Sequence, residues 1–359
     1  MGGWPTGFPL ANPPRRGLTP QELSTGVGKG AAGGAGRAHA GLVNPELKQI
    51  AAEQGGVVSS RQAADTGYTR EQIRERLGDG RWERVRYGQY AERLDLTGLA
   101  PWDRHVVRHR QLVHAAMNSM RRGSAVVSHH SALVMYGVPV WRADLTEVQL
   151  TRTTGRSGLL AGVRHHRGLL ETSDVTQIEG LATTSLARAV VESAARTSFE
   201  AAVVSADAAL RHYDLNPRDL QRLRATTECW PGGPTIRSVL AFADPLAESV
   251  GESRLRVLMR NQGLPSPDLQ VEFADDGGFI GRVDFFFPDH DTVVEFDGMV
   301  KYADESRDAL IREKAREDRL RALGLEIVRT TWSDLAHPHR TAMRIRSGFA
   351  RSRRTVLTG

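Results

Sequence analysis

The chain has too few cysteines for disulfides or cysteine-rich zinc sites, and it lacks the long apolar runs that form membrane-spanning helices. Cys229 is its one cysteine in 359 residues, which excludes an intramolecular disulfide and a Cys-rich zinc site. No apolar run reaches the length of about 18 residues that a transmembrane helix needs. The N-terminus also lacks the apolar stretch of a secretory signal. We therefore expect a cytoplasmic protein without a membrane partner.

Lysine is also scarce, although the chain carries a formal net charge of +6. The lysines are Lys29, Lys48, Lys301 and Lys314. A basic balance favours nucleic acid among possible partners. The predominance of arginine, with abundant alanine and glycine, is equally typical of a GC-rich genome. Charge alone therefore favours DNA only slightly.

The first 43 residues are rich in Gly, Pro and Ala, as in GVGKGAAGGAGRAHAG. Such a segment buries too little apolar surface to offset its ordering entropy, so we predict disorder there. GVGKG is not a phosphate-binding loop, because the preceding strand and the GK[ST] ending are missing.

Residues 44–100 carry helix-start signals at short intervals. Asn44-Pro45 is an N-cap followed by Pro at the first helical position. Ser59-x-x-Gln62 and Thr69-x-x-Gln72 are capping boxes that open two further helices. Trp82, Val85, Tyr87 and Tyr90 then indicate a β-hairpin.

Three short helices and a hairpin predict a winged helix-turn-helix, in which the third helix reads DNA. The polar side chains expected to contact DNA from this helix are Arg70, Gln72, Arg74 and Arg76. The alternative is a plain packing module whose arginines form a solvated face.

Residues 101–213 predict a middle α/β region, with strands at 147–151 and 162–166. The pairs His129-His130 and His165-His166 have the residue type of metal ligands. Adjacent residues of a strand point to opposite faces, so we expect a structural role for both pairs.

Two stretches resemble a known family. QGGVVSSRQAADTGYTREQIRERLGDGRWERVRYGQY resembles the N-terminal domain of AbiEi-type antitoxins of type IV toxin–antitoxin systems. VVSHHSALVMYGVPVW and EGLATTSLARAVVESA are similar to the region that follows it in actinobacterial relatives. The resemblance spans about residues 44–213, and it implies a DNA-binding repressor or antitoxin ancestry and a possible cognate toxin partner.

The C-terminal third places carboxylates inside apolar elements. Glu252 lies on a predicted helix, on the side of Leu255 and Met259. Asp284 lies in the strand IGRVDFFFP, opposite a face formed by Val283, Phe285 and Phe287. Glu295 and Asp297 share one face of the next strand, TVVEFDG, with Val294 and Phe296 on the other.

Carboxylates are depleted from strands, so these acids suggest a shared cation. Mg²⁺ (or Mn²⁺) held by two carboxylates and a backbone carbonyl would neutralise a scissile phosphate and generate hydroxide near neutral pH. We expect Asp284 and Glu295 to hold the metal and Glu252 and Asp297 to assist. Glu252 could instead be a helix-start carboxylate that reaches solvent.

The pattern RVDFFFP…TVVEFDGMVKY…EKAREDRLRALGLEIVRTTWSDL is similar to the DUF559 family, relatives of the very-short-patch repair endonuclease. This resemblance covers about residues 248–336. It implies a PD-(D/E)XK nuclease core and metal-dependent DNA cleavage. Asp297 occupies the place of the motif lysine, and Lys314 or Lys301 are candidates for a migrated lysine. Both lysines could equally be solvent-exposed charges.

The sequence thus predicts an α+β multidomain protein with a winged helix-turn-helix, a middle α/β region and a C-terminal PD-(D/E)XK core. The expected segments are 1–43 (disordered), 44–100, 101–213, 214–244 (linker), 245–340 (nuclease-like) and 341–359 (basic tail). We expect a DNA-binding protein with a Mg²⁺-dependent endonuclease domain, in phage defence or DNA repair. The alternative is a non-enzymatic antitoxin or repressor with an inactive nuclease fold. The oligomeric state stays open.

Overall fold

The computed structural model describes residues 44–121, 123–212, 215, 217–227, 230–298 and 307–358. The segment predicted to be disordered, 1–43, lies outside the described residues. The chain divides into two compact units. The first unit contains the described residues of Pro14–Arg196 and Pro217–Pro231. The second contains those of Thr197–Asn216 and Gly232–Gly359.

The first unit begins with short helices and a three-stranded antiparallel sheet of order β1-β3-β2. The elements are α1 (Pro45–Glu53), β1 (Val57–Ser59), α2 (Ser60–Asp65), α3 (Arg70–Gly78), β2 (Trp82–Arg86) and β3 (Gln89–Glu92). Asn44 caps α1, and both predicted capping boxes are present, at Ser59/Gln62 and Thr69/Gln72. These local predictions are confirmed. Leu47, Ile73 and Trp82 belong to the buried core that joins the elements.

The remainder of the first unit is a six-stranded mixed sheet of order β6-β7-β5-β4-β9-β8 with helices. The strands are β4 (Val126–Val127), β5 (Val148–Arg152), β6 (Gly158–Leu160), β7 (Val163–Arg167), β8 (Val175–Ile178) and β9 (Leu181–Thr184). The helices are α4 (Pro101–Asn118), α5 (His129–Tyr136), α6 (Leu186–Ala194) and α8 (Pro217–Thr226). The predicted middle α/β region is therefore mixed α/β, as expected.

The second unit is a four-stranded sheet with helices on both faces. Its strands are β10 (Asp268–Asp275), β11 (Gly278–Phe287), β12 (Thr292–Asp297) and β13 (Glu326–Thr331), in that spatial order. The first three strands are antiparallel, and β13 runs parallel to β12. The helices are α7 (Phe199–His212), α9 (Gly233–Phe242), α10 (Val250–Asn261), α11 (Arg307–Ala322), α12 (Trp332–Leu335) and α13 (Pro338–Thr358).

Two apolar cores lie on the two faces of this sheet, and β11 changes face between them. Phe285 and Phe287 pack with α10 and α13, but Val283 packs in the other core with Leu320 of α11. The prediction that Val283, Phe285 and Phe287 share one face is therefore wrong for Val283. The change falls at Asp284, where the opposing Gln270 has a left-handed backbone (φ 54°) that interrupts the regular alternation.

The sequence predicted segment boundaries at residues 214, 245 and 340, and the limits of the second unit differ from these. A buried ion pair between Asp207 and Arg256 joins α7 to α10. At the other end, α13 places Ala342, Ile345 and Phe349 in the core. The unit therefore starts in the expected middle domain and includes most of the expected basic tail.

Candidate functional site

Helix α3 presents most of its predicted DNA-contacting residues to solvent. Arg70 and Arg74 are exposed, and Arg74 forms an exposed ion pair with Glu71 (3.5 Å). Gln72 is exposed as well, but its carboxamide oxygen accepts a hydrogen bond from the Thr69 backbone N–H (2.9 Å). The helix thus offers two cationic side chains and part of one amide.

Arg76 is the exception among these residues. It is only 7% exposed, and its guanidinium lies over the rings of Tyr68 and Trp82, at 5.1 and 5.5 Å. Cation–π contacts of this kind stabilise the core. The prediction that Arg76 contacts DNA is therefore wrong, because the two aromatic rings hold it inside.

The hairpin after α3 adds exposed residues that sequence reasoning did not select. Tyr87 at the turn between β2 and β3 is 95% exposed, and Arg84 is also exposed. A large aromatic residue at a hairpin turn was visible in the sequence. Its exposure was not, because an aromatic residue in a hairpin is as often part of the core.

In the second unit, Glu252, Gln270 and Asp284 form a hydrogen-bonded group next to the point where the pairing of β11 with β12 ends. The Gln270 amide donates to Glu252 Oε2 (3.1 Å) and also bonds Asp284. Asp284 Oδ2 accepts from the Phe296 backbone N–H (2.7 Å). β11 pairs regularly with β12 from Phe285 to Phe287. Where this pairing ends, the Asp284 carboxylate accepts the hydrogen bond that a backbone carbonyl would accept within the sheet.

Burial makes both acids unusually weak. Desolvation, and then the charge of Asp284, raise the pKa of Glu252 to about 7. Desolvation also raises the pKa of Asp284 to about 6, with the charge of Glu295 adding to it and the Phe296 hydrogen bond opposing it. Acids shifted in this way by burial and by each other are frequent at functional sites.

Glu295 has a different environment, because two arginines face its carboxylate. Arg316 of α11 donates from Nη2 to Oε1 (2.6 Å), and Arg329 of β13 lies 3.8 Å from Oε2. Partial burial acts to lower the pKa of Arg316, but the hydrogen bond and charge of Glu295, with the charges of Glu313 and Asp284, outweigh it and raise that pKa.

The cation next to Glu295 is thus an arginine and not the lysine chosen from the sequence. Lys314 has an exposed side chain, so its predicted inward position is wrong, and Lys301 lies outside the described residues. Arg316 reaches Glu295 across Gly281, where a Cβ would lie 2.6 Å from the arginine Nε. Asp297 is half-buried at the end of β12.

The fit of this cluster to a divalent cation is uneven. Asp284 and Glu252 are buried acids whose charged forms a cation would stabilise. Glu295 fits less well, because guanidinium groups face both its oxygens and the Thr330 hydroxyl already bonds its carbonyl (2.9 Å). Within the described part of the chain, no group of three His, Cys, Asp or Glu side chains could hold a metal ion.

The adjacent residues His129 and His130 of the first unit point in different directions. His129 stacks on His166 with ring centroids 3.7 Å apart, whereas His130 lies beside His109 at 5.5 Å. Desolvation is the main cause that lowers the pKa of all four, to about 3 for His109 and about 4 for His166.

Several arginines of the expected basic tail are bound to the protein itself. The contacts are Arg344 with Asp334 (2.8 Å), Arg346 with the Gln262 carbonyl (2.5 Å) and Arg351 with Glu326 (2.6 Å). These arginines attach α13 to its own unit, which reduces their availability for phosphate contacts.

In the described residues, no helix is both long and apolar enough to cross a membrane.

Comparison with known proteins agrees with the N-terminal part of the sequence analysis. Residues 45–92 match the model of a family described as transcriptional regulator, AbiEi antitoxin. This confirms the expected resemblance for the segment that contains α3 and the β2–β3 hairpin. The resemblance of the second unit to DUF559 stays a prediction.

The similarity to whole proteins is broader. The chain is 29% identical over 287 residues to two uncharacterized proteins of Mycobacterium tuberculosis, MT2308 of strain CDC 1551 / Oshkosh and Rv2248 of strain ATCC 25618 / H37Rv. The alignments cover 79% of this chain and 98% of each relative. The similarity therefore extends well beyond the AbiEi segment.

Proposed function

We propose that this protein is a DNA-binding transcriptional regulator of the AbiEi antitoxin type. The observation that carries the proposal is the match of residues 45–92 to that family, on the segment where Arg70 and Arg74 are exposed. A cognate toxin would be its protein partner.

The elements of this segment support a winged helix. Their order is helix, strand, two helices and a hairpin, with β1 completing the sheet beside β3. In such a domain α3 would enter the major groove, with the N-terminal residues of the helix nearest the bases. Arg70 and Arg74 would contact bases or phosphates there, and Arg84 and Tyr87 of the hairpin would contact the flanking backbone.

Arg70→Ala combined with Arg74→Ala should weaken DNA binding and flatten its salt dependence. Each lost phosphate contact lowers the slope of log K against log salt by about 0.9, because fewer counterions are released. Fluorescence anisotropy titrations at several salt concentrations measure both quantities. Arg121→Ala, which removes one positive charge at an exposed position after α4, is the control, and its effect is compared with those of the single variants Arg70→Ala and Arg74→Ala. A double variant with the wild-type slope would make α3 a packing element only.

We propose as a second candidate that the second unit cleaves DNA with a divalent cation. The observation that favours it is the buried pair Glu252 and Asp284, whose pKa values are both raised. A bound Mg²⁺ would neutralise phosphate charge and supply a hydroxide. Asp284 and Glu252 would hold the ion, Gln270 would orient the two carboxylates, and Arg316 would offset the charge of Glu295.

Incubation of the protein with plasmid or single-stranded DNA and Mg²⁺ or Mn²⁺ tests this candidate. Cleavage should occur with the wild type and disappear with Asp284→Ala. Arg312→Ala, at an exposed position of α11, should cleave as the wild type does. If the wild type leaves both substrates intact and binds DNA as well in EDTA as with Mg²⁺, the nuclease hypothesis is discarded and the regulator hypothesis stands.

A further inference from the structure

The β5–β7 region of the six-stranded sheet gathers positive charge on one face. β5 and β7 are parallel, with Leu150 opposite His165 and Arg152 opposite Arg167. Residues two apart on a strand share a face, so Arg152 and Arg167 lie on the same side as the His165 imidazole. The neighbouring acid Glu147 is paired with Arg164 (2.8 Å).

Arg86 of the β2–β3 hairpin approaches the same place. Its Nη1 lies 3.8 Å from where a Cβ on Gly162 would be, immediately before β7. The charges of Arg152 and Arg86 both act on His165, after desolvation, to lower the pKa of that imidazole. The hairpin and the sheet thus direct cationic side chains at one buried histidine.

These groups lack counter-charges. In the part of the chain that the structure describes, Arg86, Arg152 and Arg167 make no ion pair with a carboxylate. Arg152 Nε and His165 Nδ1 are buried without a hydrogen-bond partner, and His165 is only 8% exposed. Buried donors are normally satisfied, and like charges on neighbouring strands repel. Both features indicate a missing anionic ligand.

The sheet also leaves room for such a ligand. Gly158 of the edge strand β6 pairs with His165 and, as a glycine, places no side chain of its own next to it. A Cβ added at Gly158 would meet nothing within 4 Å. On the other flank, Gly155 lies beside the Arg152 guanidinium, with its added Cβ 3.7 Å from the guanidinium carbon.

We propose that Arg86, Arg152, His165 and Arg167 form a binding site for a phosphate group. Arginine guanidinium groups bind phosphate oxygens with paired, charge-assisted hydrogen bonds, and the buried His165 Nδ1 would add a further contact. Because Arg86 belongs to the hairpin of the proposed DNA-binding segment, the phosphate is a backbone phosphate of bound DNA. This assignment of the source rests on the proposed function, whereas the chemistry of the site does not.

Inorganic phosphate is the first probe. Phosphate should raise the melting temperature of the wild-type protein above its value in chloride at equal ionic strength. Arg152→Gln and Arg86→Gln should each weaken phosphate binding about tenfold or more, as expected for the loss of a charged hydrogen bond. Arg121→Gln should keep the wild-type response. In chloride, Arg152→Gln should melt no lower than the wild type, since it relieves the repulsion with Arg167; a purely structural arginine would not behave so.

Duplex DNA is the second probe, read as the salt slope of binding. A slope that falls by about 0.9 in Arg152→Gln places a backbone phosphate in the site. An unchanged slope together with a lost phosphate response assigns the site to a small phosphate-bearing ligand. If Arg152→Gln and Arg86→Gln match Arg121→Gln with both probes, the site does not exist. The phosphate measurement contains no DNA, so failure of the proposed DNA-binding function would appear separately, in the α3 variants.

Discussion

Asp207→Ala is expected to destabilise the second unit by about 3–5 kcal/mol, because it leaves a buried arginine without its counter-ion. Asp207 is fully buried on α7, and its Oδ2 accepts from Arg256 Nη1 of α10 (2.9 Å). Its other oxygen accepts from the Asp244 backbone N–H (2.9 Å). Desolvation raises the pKa of Asp207 to about 6, although Arg256 opposes this.

The other partners of Arg256 that the structure describes are weaker than Asp207. Its second nitrogen donates to the Phe242 carbonyl (2.8 Å), and its guanidinium lies 4.5 Å from the Phe242 ring. Asp244 is 3.9 Å away and only partly buried. Removal of Asp207 therefore leaves a largely uncompensated charge between α7, α9 and α10.

Chemical denaturation combined with hydrogen exchange of α7 and α10 measures the effect. Glu200→Ala is the matched control, because it breaks the more exposed pair with Arg254 on the same two helices and should cost about 1 kcal/mol or less. Asp207→Leu with Arg256→Met should recover much of the loss, since an apolar pair leaves no buried charge. Equal effects of Asp207→Ala and Glu200→Ala would contradict the large cost expected from a buried arginine that has lost its counter-ion.

Acidification is expected to destabilise the first unit through its buried histidines, with His109 as the clearest case. Its Nδ1 faces the Leu145 carbonyl (2.8 Å) and its Nε2 faces the Ser131 hydroxyl (2.9 Å). A carbonyl can only accept, so Nδ1 carries the proton and Nε2 accepts from Ser131. Ser131 Oγ in turn accepts from the Gln149 backbone N–H (2.8 Å). This chain satisfies the neutral imidazole, and a second proton on Nε2 would displace the Ser131 hydroxyl proton from its hydrogen bond.

Burial, with the adjacent His130, lowers the pKa of His109 from 6.5 to about 3. The unfolded chain therefore takes up a proton at a higher pH than the folded one. The stability that His109 contributes is complete above pH 6.5 and is lost as pH falls toward 3, by about 1.4 kcal/mol for each pH unit. The buried Glu192 acts in the opposite direction, because desolvation raises the pKa of that carboxyl.

Urea unfolding at a series of pH values between 8 and 4 measures this dependence. His109→Asn should reduce the loss of unfolding free energy below pH 6.5, since asparagine does not titrate. His105→Asn, on the exposed face of the same helix, should leave the wild-type curve unchanged. Curves that coincide for His109→Asn and the wild type would show that folding does not lower the pKa of this histidine.

The segment that matches the AbiEi family model and the carboxylate cluster differ in how far the sequence predicted them. The capping boxes at Ser59/Gln62 and Thr69/Gln72 were predicted correctly, because a cap is decided by residues three positions apart. Glu252 and Asp284 were selected because a carboxylate in an apolar pattern is conspicuous, and the structure brings them together through Gln270. Gln270 itself carried no signal, since a glutamine in a strand is unremarkable until its backbone angle is known.

The sequence by itself determined the capped helices of residues 44–78 and which acids stand in apolar surroundings. Both follow from interactions between residues a few positions apart. Only the tertiary structure decided that Arg316, and not Lys314, meets Glu295, because two residues are more than half a turn of α11 and the sheet fixes how that helix rotates. It also decided the burial of Arg76 and the position of Arg86 beside Gly162, where its charge acts on His165. These contacts join positions distant in the chain, and long-range packing alone sets the partner of each charge.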